Sequence, residues 1–106
     1  MIDKLKEIKK RYLDVERSLS KPETVSNMKL YASLNKEYKD LGPIVDAYHK
    51  YKNIVSNITS SKEILKEEKD EEMREMAKME LDELLPKKEE MDEEIKVLLI
   101  PKDPAD

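Results

Sequence analysis

The stretch Met1–Leu19, MIDKLKEIKKRYLDVERSL, decides the fold class because its apolar residues recur at the spacing of an α-helix. They stand three or four residues apart, at Leu5, Ile8, Tyr12, Val15 and Leu19. Side chains at this spacing lie on one side of a helix and form an apolar stripe that another element must cover. The stretch therefore predicts an amphipathic helix that packs along one face.

Two more stripes of the same kind follow along the chain. The second runs through Tyr31–Leu41 and the third through Ile44–Leu65. Between them stand Gly42 and Pro43. Glycine favours the position just after a helix and proline favours the first turn of the next one. The pair therefore predicts that one helix ends at this point and another begins.

The fourth stripe runs through Ala77–Leu98. Asp70 is the predicted N-cap, since an aspartate side chain accepts a hydrogen bond from a free backbone N–H at a helix start. Pro86 interrupts the stripe, because proline cannot donate the hydrogen bond of a helix interior. It predicts either a kink near residues 83–85 or a split into two helices, and the kink is favoured because the stripe resumes in phase. Pro101 predicts the end of this helix.

Four stripes joined by short connections predict an all-α fold. The stripes have heptad spacing, so we expect an antiparallel helical bundle or hairpin of about four helices with coiled-coil-like packing. Residues 1–100 form the predicted helical domain. Residues 101–106, PKDPAD, form the predicted start of an extended linker.

Composition and charge limit the function classes. The 106 residues have room for one domain, and 43% of them are charged, against about 25% in an average globular domain. The chain has no cysteine, which fits a cytoplasmic protein, and no apolar run approaches the ~20 residues of a membrane span. Residues 1–41 carry a net charge of +3 and residues 70–106 carry −8.

The sequence contains no motif that predicts catalysis. The one histidine, His49, lies off the third stripe and is expected to face solvent without a catalytic partner. The acidic runs KEEKDEE and KKEEMDEE lack the Glu-x-x-His motifs of a bundle metal site and are expected to be solvated helix faces. We therefore predict no catalytic, cofactor-binding or metal-binding residue.

Three methionines and one basic cluster can each be interpreted either as ordinary structural residues or as a binding surface. Met73, Met76 and Met79 stand at near-helical spacing, which favours packing in the core or at its edge over an adaptable binding surface. Lys6, Lys10 and Arg17 fall on one side of the first helix. They form the only basic patch suited to contact RNA phosphates, although nearby acidic residues weaken this signal.

Three stretches resemble the family of bacterial class I peptide chain release factors, and release factor 1 in particular. LLIPKDPAD, Leu98–Asp106, resembles the family's Leu-Leu-x-Pro-Lys-Asp-Pro-x-Asp segment that leaves the N-terminal domain. DEEMREMAKMEL, Asp70–Leu81, and LNKEYKDL, Leu34–Leu41, are similar to two of its helices. The resemblance covers the whole chain and identifies it with the N-terminal helical domain.

The resemblance implies a function in translation termination on the ribosome, at the stop codons UAA and UAG. In the family, a Pro-x-Thr motif reads the codon and a Gly-Gly-Gln motif promotes hydrolysis of peptidyl-tRNA. Neither motif occurs in this chain, which has one glycine and no glutamine. The chain is therefore expected to stop where the decoding and catalytic domains begin, and not to be an enzyme itself.

The resemblance also implies the partners. They are the ribosome, near the base of the large-subunit stalk, and the recycling GTPase release factor; ribosomal RNA would meet the basic patch. No membrane is expected, and the isolated chain is expected to be a monomer. The residues alone leave a second interpretation open, in which a stand-alone helical scaffold dimerises through Tyr38, Tyr48 or Leu84.

Overall fold

A computed structural model describes residues 1–101 of the chain. Nearly all of these residues lie in four helices: α1 Ile2–Leu19, α2 Pro22–Val25, α3 Met28–Glu67 and α4 Glu71–Leu98. The described part contains no strand, so the predicted all-α class is confirmed. Of the predicted linker, only Pro101 belongs to the described part, and residues 102–106 lie outside it.

Helix α1 follows the stripe that predicted it. Leu5 and Val15 are each 1% exposed, and the other stripe residues, Ile8, Tyr12 and Leu19, are half-buried. The helix ends at Ser20, whose hydroxyl donates to the carbonyl of Arg17 at 2.9 Å. Helix α2 is a single turn that begins with Pro22 at its first position, where the missing N–H of proline costs nothing.

Helix α3 corrects the expected break at Gly42 and Pro43. The helix runs through both residues for 40 positions, and Gly42 does not adopt the left-handed conformation of a terminal glycine. Pro43 forfeits one backbone hydrogen bond. The apolar residues just beyond it, Val45, Ala47 and Tyr48, are buried, and their packing favours a continuous helix over a break.

Helix α4 begins as its sequence predicts. The Oδ1 atom of Asp70 accepts from the backbone N–H of Glu72 at 3.1 Å, which confirms Asp70 as the N-cap. Pro86 lies inside the helix, which stays a single element of 28 residues rather than splitting. The buried stripe residues Ala77, Leu81, Leu84 and Ile95 flank Pro86 on both sides.

The chain forms two compact units, and α3 contributes to both. The first unit, Met1–Tyr48, contains α1, α2 and the first half of α3. Its buried residues are Leu5, Val15, Thr24, Val45, Ala47 and Tyr48. The second unit begins at His49 and contains the rest of α3 together with α4.

The second unit is an antiparallel hairpin with a heptad register. Arg74 donates to the carbonyl of Leu65, and Ile58 packs with Leu81 in one buried cluster. The ammonium of Lys88 lies 5.6 Å from the ring centroid of Tyr51. Each pair lies seven residues further from the turn on both helices, which is the repeat of a coiled coil. The expected hairpin packing is confirmed in this unit.

Candidate functional site

The basic face of α1 is defined by Lys6, Lys10 and Arg17, and all three side chains are exposed. Lys6 and Lys10 are one helical turn apart, so their ammonium groups project from the same side. Neither lysine forms an ion pair with any described residue. Arg17 pairs with Asp14, three residues earlier on the same helix. The two lysines therefore carry the uncompensated charge of this face.

Arg11 does not join this face, because an acidic residue of α3 holds it. Its Nε and Nη2 atoms donate to the two carboxylate oxygens of Glu37 at 2.5 and 2.7 Å. Such a two-point pair has matched planar geometry. The Arg11 guanidinium lowers the pKa of the Glu37 carboxyl below its ordinary value of 4.5. Glu7 lies four residues before Arg11 on α1, a spacing that favours an ion pair, but Arg11 pairs with Glu37 instead.

A tyrosine pair lies beside the Arg11–Glu37 contact. The rings of Tyr12 and Tyr38 stack with centroids 4.7 Å apart and planes 9° from parallel. The Tyr38 hydroxyl donates to Oε2 of Glu16 at 2.7 Å. The neighbouring Tyr12 side chain and the Glu16 carboxylate raise the pKa of the Tyr38 phenol. Together these contacts hold α1, the helix that carries Lys6 and Lys10, against α3.

The methionines of α4 lie at the surface, which corrects the expectation that they pack in the core or at its edge. Met73, Met76 and Met79 are 44%, 69% and 70% exposed. The core stripe of α4 passes through Ala77 and Leu81, so Met76 and Met79 fall on other sides of the helix, whereas Met73 lies one turn before Ala77 near the end of the stripe. An open surface depression is lined by Met76, Met79, Glu80, Asp82 and Glu83.

Side chains of the metal-ligating types do not cluster in the described residues. No group of three or more His, Cys, Asp or Glu side chains is placed to hold a metal ion there. His49 is exposed, as its position off the third stripe predicts. No helix in residues 1–101 is long and apolar enough to cross a bilayer.

Comparison with known proteins assigns the chain to a family. The sequence pattern of the PCRF domain matches residues 8–106, so this chain belongs to the PCRF domain family. Over all 106 residues it is 54% identical to peptide chain release factor 1 of Cytophaga hutchinsonii, 47% to that of Amoebophilus asiaticus and 45% to that of Clostridioides difficile. These identities confirm the resemblance to release factor 1.

The chain spans 30% of the length of each of these relatives. No solved structure matches the chain.

Sequence reasoning singled out Lys6, Lys10 and Arg17, whose role stays a prediction, and it missed the contact between Arg11 and Glu37. Arg11 and Glu37 are 26 residues apart, and no local spacing rule connects them. The exposure of Met76 could have been predicted from the sequence, because Ala77 and Leu81 already defined the buried side of α4. Met76 directly precedes Ala77 in the sequence, and helical geometry therefore turns it about 100° away from Ala77.

Proposed function

We propose that this chain is the N-terminal docking domain of a peptide chain release factor that acts in translation termination in the cytoplasm. The match of all 106 residues to proteins named peptide chain release factor 1 supports this proposal most directly. The whole factor reads UAA and UAG and promotes hydrolysis of peptidyl-tRNA through parts beyond this segment. The present chain positions the factor on the ribosome and performs no chemical step.

The basic face of α1 supplies the contact with ribosomal RNA. Lys6 and Lys10 are exposed and unpaired among the described residues, so their ammonium groups are available to phosphates. Arg17 joins them by exchanging its Asp14 partner for a phosphate. We place this contact near the base of the large-subunit stalk, where the recycling GTPase also meets the factor.

The burial of the side chains proposed for the contact is evidence against the alternative of a stand-alone dimerisation scaffold. Tyr48 is 3% and Leu84 is 9% exposed within the single chain, so neither is available to a second copy. Tyr38 is stacked on Tyr12. We therefore expect the isolated chain to be monomeric at micromolar concentration, which sedimentation equilibrium measures.

A codon-resolved release assay tests the proposed function. The protein encoded by the parent gene is added to ribosomes that carry formyl-methionyl-tRNA with UAA, UAG or UGA in the decoding site. We expect formyl-methionine to be released on UAA and UAG and not on UGA. Absence of release on all three codons would contradict the proposal.

A charge-reversal variant tests the basic face in the same assay. Lys6→Glu, Lys10→Glu and Arg17→Glu are combined in the parent protein. The matched control combines Lys62→Glu, Lys66→Glu and Lys69→Glu, which are also exposed and change the net charge equally. We expect only the first variant to need more factor for half-maximal release and to show a weaker dependence on salt. Equal effects of the two variants on the half-maximal concentration and on the salt dependence would contradict an RNA contact through the basic face of α1.

A further inference from the structure

We infer that the outer side of the first half of α4 is a docking surface for a basic amphipathic helix of a partner protein. We call it the methionine surface and define it by Met73, Met76, Met79, Glu80, Asp82 and Glu83. It lies in the second unit, whereas the basic face of α1 lies in the first. The inference does not depend on the proposed function.

The apolar part of the surface is unusual in its composition and exposure. Met73, Met76 and Met79 follow one another along successive turns of α4 and expose 44–70% of their surface. Single exposed apolar residues are ordinary, but adjacent ones form a patch that indicates an interaction site. The unbranched, polarisable methionine side chain adapts to partners of different shape. The patch therefore suits a partner with apolar side chains.

The charge around the patch decides the chemistry of that partner. Residues 70–85 contain seven acidic and two basic side chains. Both basic groups are already engaged: Arg74 donates to the carbonyls of Leu65 and Glu68, and Lys78 pairs with Glu75 at 3.4 Å. Glu80, Asp82 and Glu83 form no ion pair with any described residue.

This pattern selects a basic protein segment over other occupants. Uncompensated carboxylates repel RNA phosphates and anionic lipid headgroups, and they attract lysine and arginine. An amphipathic helix with an apolar stripe and flanking basic residues would lay the stripe on Met76 and Met79. Its basic side chains would then reach Glu80 and Glu83, one turn further along α4. Helix-in-groove recognition of this kind combines apolar anchors with charged flanks.

Peptide binding to the 106-residue chain tests the inference. The probe is a synthetic amphipathic helix with leucine on one side and lysine on the other, labelled for fluorescence anisotropy. A second peptide carries glutamate in place of lysine. Single-stranded polyuridylate and phosphatidylglycerol vesicles are the other two probes. We expect the lysine peptide alone to bind a chain that carries Lys6→Glu, Lys10→Glu and Arg17→Glu, because these changes remove the basic face of α1 as a site for RNA or anionic lipid. Binding of the glutamate peptide, the RNA or the vesicles to that chain with equal or higher affinity would overturn the inference.

Matched variants locate the binding. Met76→Gln combined with Met79→Gln should weaken binding of the lysine peptide about tenfold, which corresponds to about 1.4 kcal/mol. Met28→Gln is the control, since Met28 is 84% exposed in the other unit and should leave the affinity unchanged. Equal affinities of the Met76/Met79 variant and the parent chain would mean that charge alone attracts the peptide, and this would overturn the docking surface.

The acidic border has its own pair of variants. Glu80→Lys combined with Glu83→Lys should weaken binding at least about tenfold, because attraction becomes repulsion. Glu63→Lys combined with Glu67→Lys changes the net charge of the chain equally at exposed positions of α3. We expect that control to change the affinity less than about threefold. Equal losses from both pairs would overturn the assignment to α4.

Methyl NMR gives a readout that does not rely on substitution. With carbon-13 in the methionine methyl groups, the lysine peptide should shift the signals of Met76 and Met79. The signals of Met28 and of the half-buried Met91 should stay in place. Shifts confined to Met28 or Met91, or spread equally over all methionines, would contradict the proposed surface.

Discussion

Arg11 and Glu37 join α1 to α3 through two parallel hydrogen bonds of 2.5 and 2.7 Å, across 26 residues of sequence. The contact has two consequences. It holds the helix that carries Lys6 and Lys10 against the first half of α3. It also withdraws one of the three consecutive basic residues Lys9, Lys10 and Arg11 from the surface that could meet RNA.

The Arg11–Glu37 pair predicts a pH dependence of stability. The Glu37 pKa is lowered from its ordinary value of 4.5, so the folded state favours the charged form more than the unfolded state does. The contribution is therefore present above about pH 4.5 and is lost as pH falls through the lowered pKa. We expect Glu37→Gln to lower the urea midpoint at pH 7 and to lower it less at pH 3.

Glu63→Gln is the control for this pH effect. Glu63 is exposed and forms no ion pair with a described residue. The urea midpoint of the Glu63→Gln variant should equal that of the parent chain at both pH values. A Glu37→Gln deficit that is as large at pH 3 as at pH 7 would contradict the electrostatic account.

Leu81 should be among the positions of α4 that are most sensitive to truncation. Its side chain is 9% exposed and packs with Ile58 and Leu84. Leu81→Ala should lower the free energy of unfolding by about 2–5 kcal/mol, from lost burial and the cavity left behind. Leu85→Ala is the matched control, because Leu85 is 43% exposed and should lose under about 0.5 kcal/mol. Urea titration of both variants measures the difference. A larger loss from Leu85→Ala than from Leu81→Ala would mean that the core does not lie on the Leu81 face of α4.

Gly42→Ala tests whether α3 is continuous. In a helix interior, glycine is less favourable than alanine by about 0.5–1 kcal/mol, so the substitution should stabilise the chain by that amount. The added Cβ would lie 3.9 Å from Cε1 of Tyr12, an ordinary van der Waals contact. If Gly42 instead ended a helix in the left-handed conformation, alanine would destabilise. The sign of the change in thermal or urea stability therefore distinguishes the two structures.

Pro86→Ala should also stabilise the chain. Proline in a helix interior removes one backbone hydrogen bond and crowds the preceding turn, so alanine should add about 1–3 kcal/mol to the free energy of unfolding. Pro22→Ala is the control and should not raise the free energy of unfolding, because Pro22 is at the first position of α2, where proline is favoured. Destabilisation by Pro86→Ala would mean that α4 requires the proline.

Local patterns predicted the elements that depend on local interactions. The 3–4 spacing of apolar residues predicted α1 with its buried Leu5 and Val15, and the residue type of Asp70 predicted its capping bond. The heptad spacing predicted the hairpin between α4 and the later part of α3. These features follow from helical geometry, so the sequence alone is enough to derive them.

Features decided by packing were missed. Gly42 and Pro43 have the chemistry of a helix boundary, but burial of Val45 and Tyr48 favours a continuous helix there. Helical spacing favoured an Arg11 pair with Glu7, whereas Glu37 of another helix offers both carboxylate oxygens. In each case a contact distant in sequence decided between two locally acceptable structures.

The measurement that tests the central proposal most directly compares the parent protein with a version that lacks residues 1–100. Peptide release on UAA ribosomes is recorded as a function of factor concentration. A docking domain should lower the concentration needed for half-maximal release and leave the maximal rate almost unchanged. We therefore predict that the deletion raises that concentration at least about tenfold, with a maximal rate within about twofold of the parent. A large fall in the maximal rate with the half-maximal concentration unchanged would contradict the proposal that this chain positions the factor and takes no part in the chemistry.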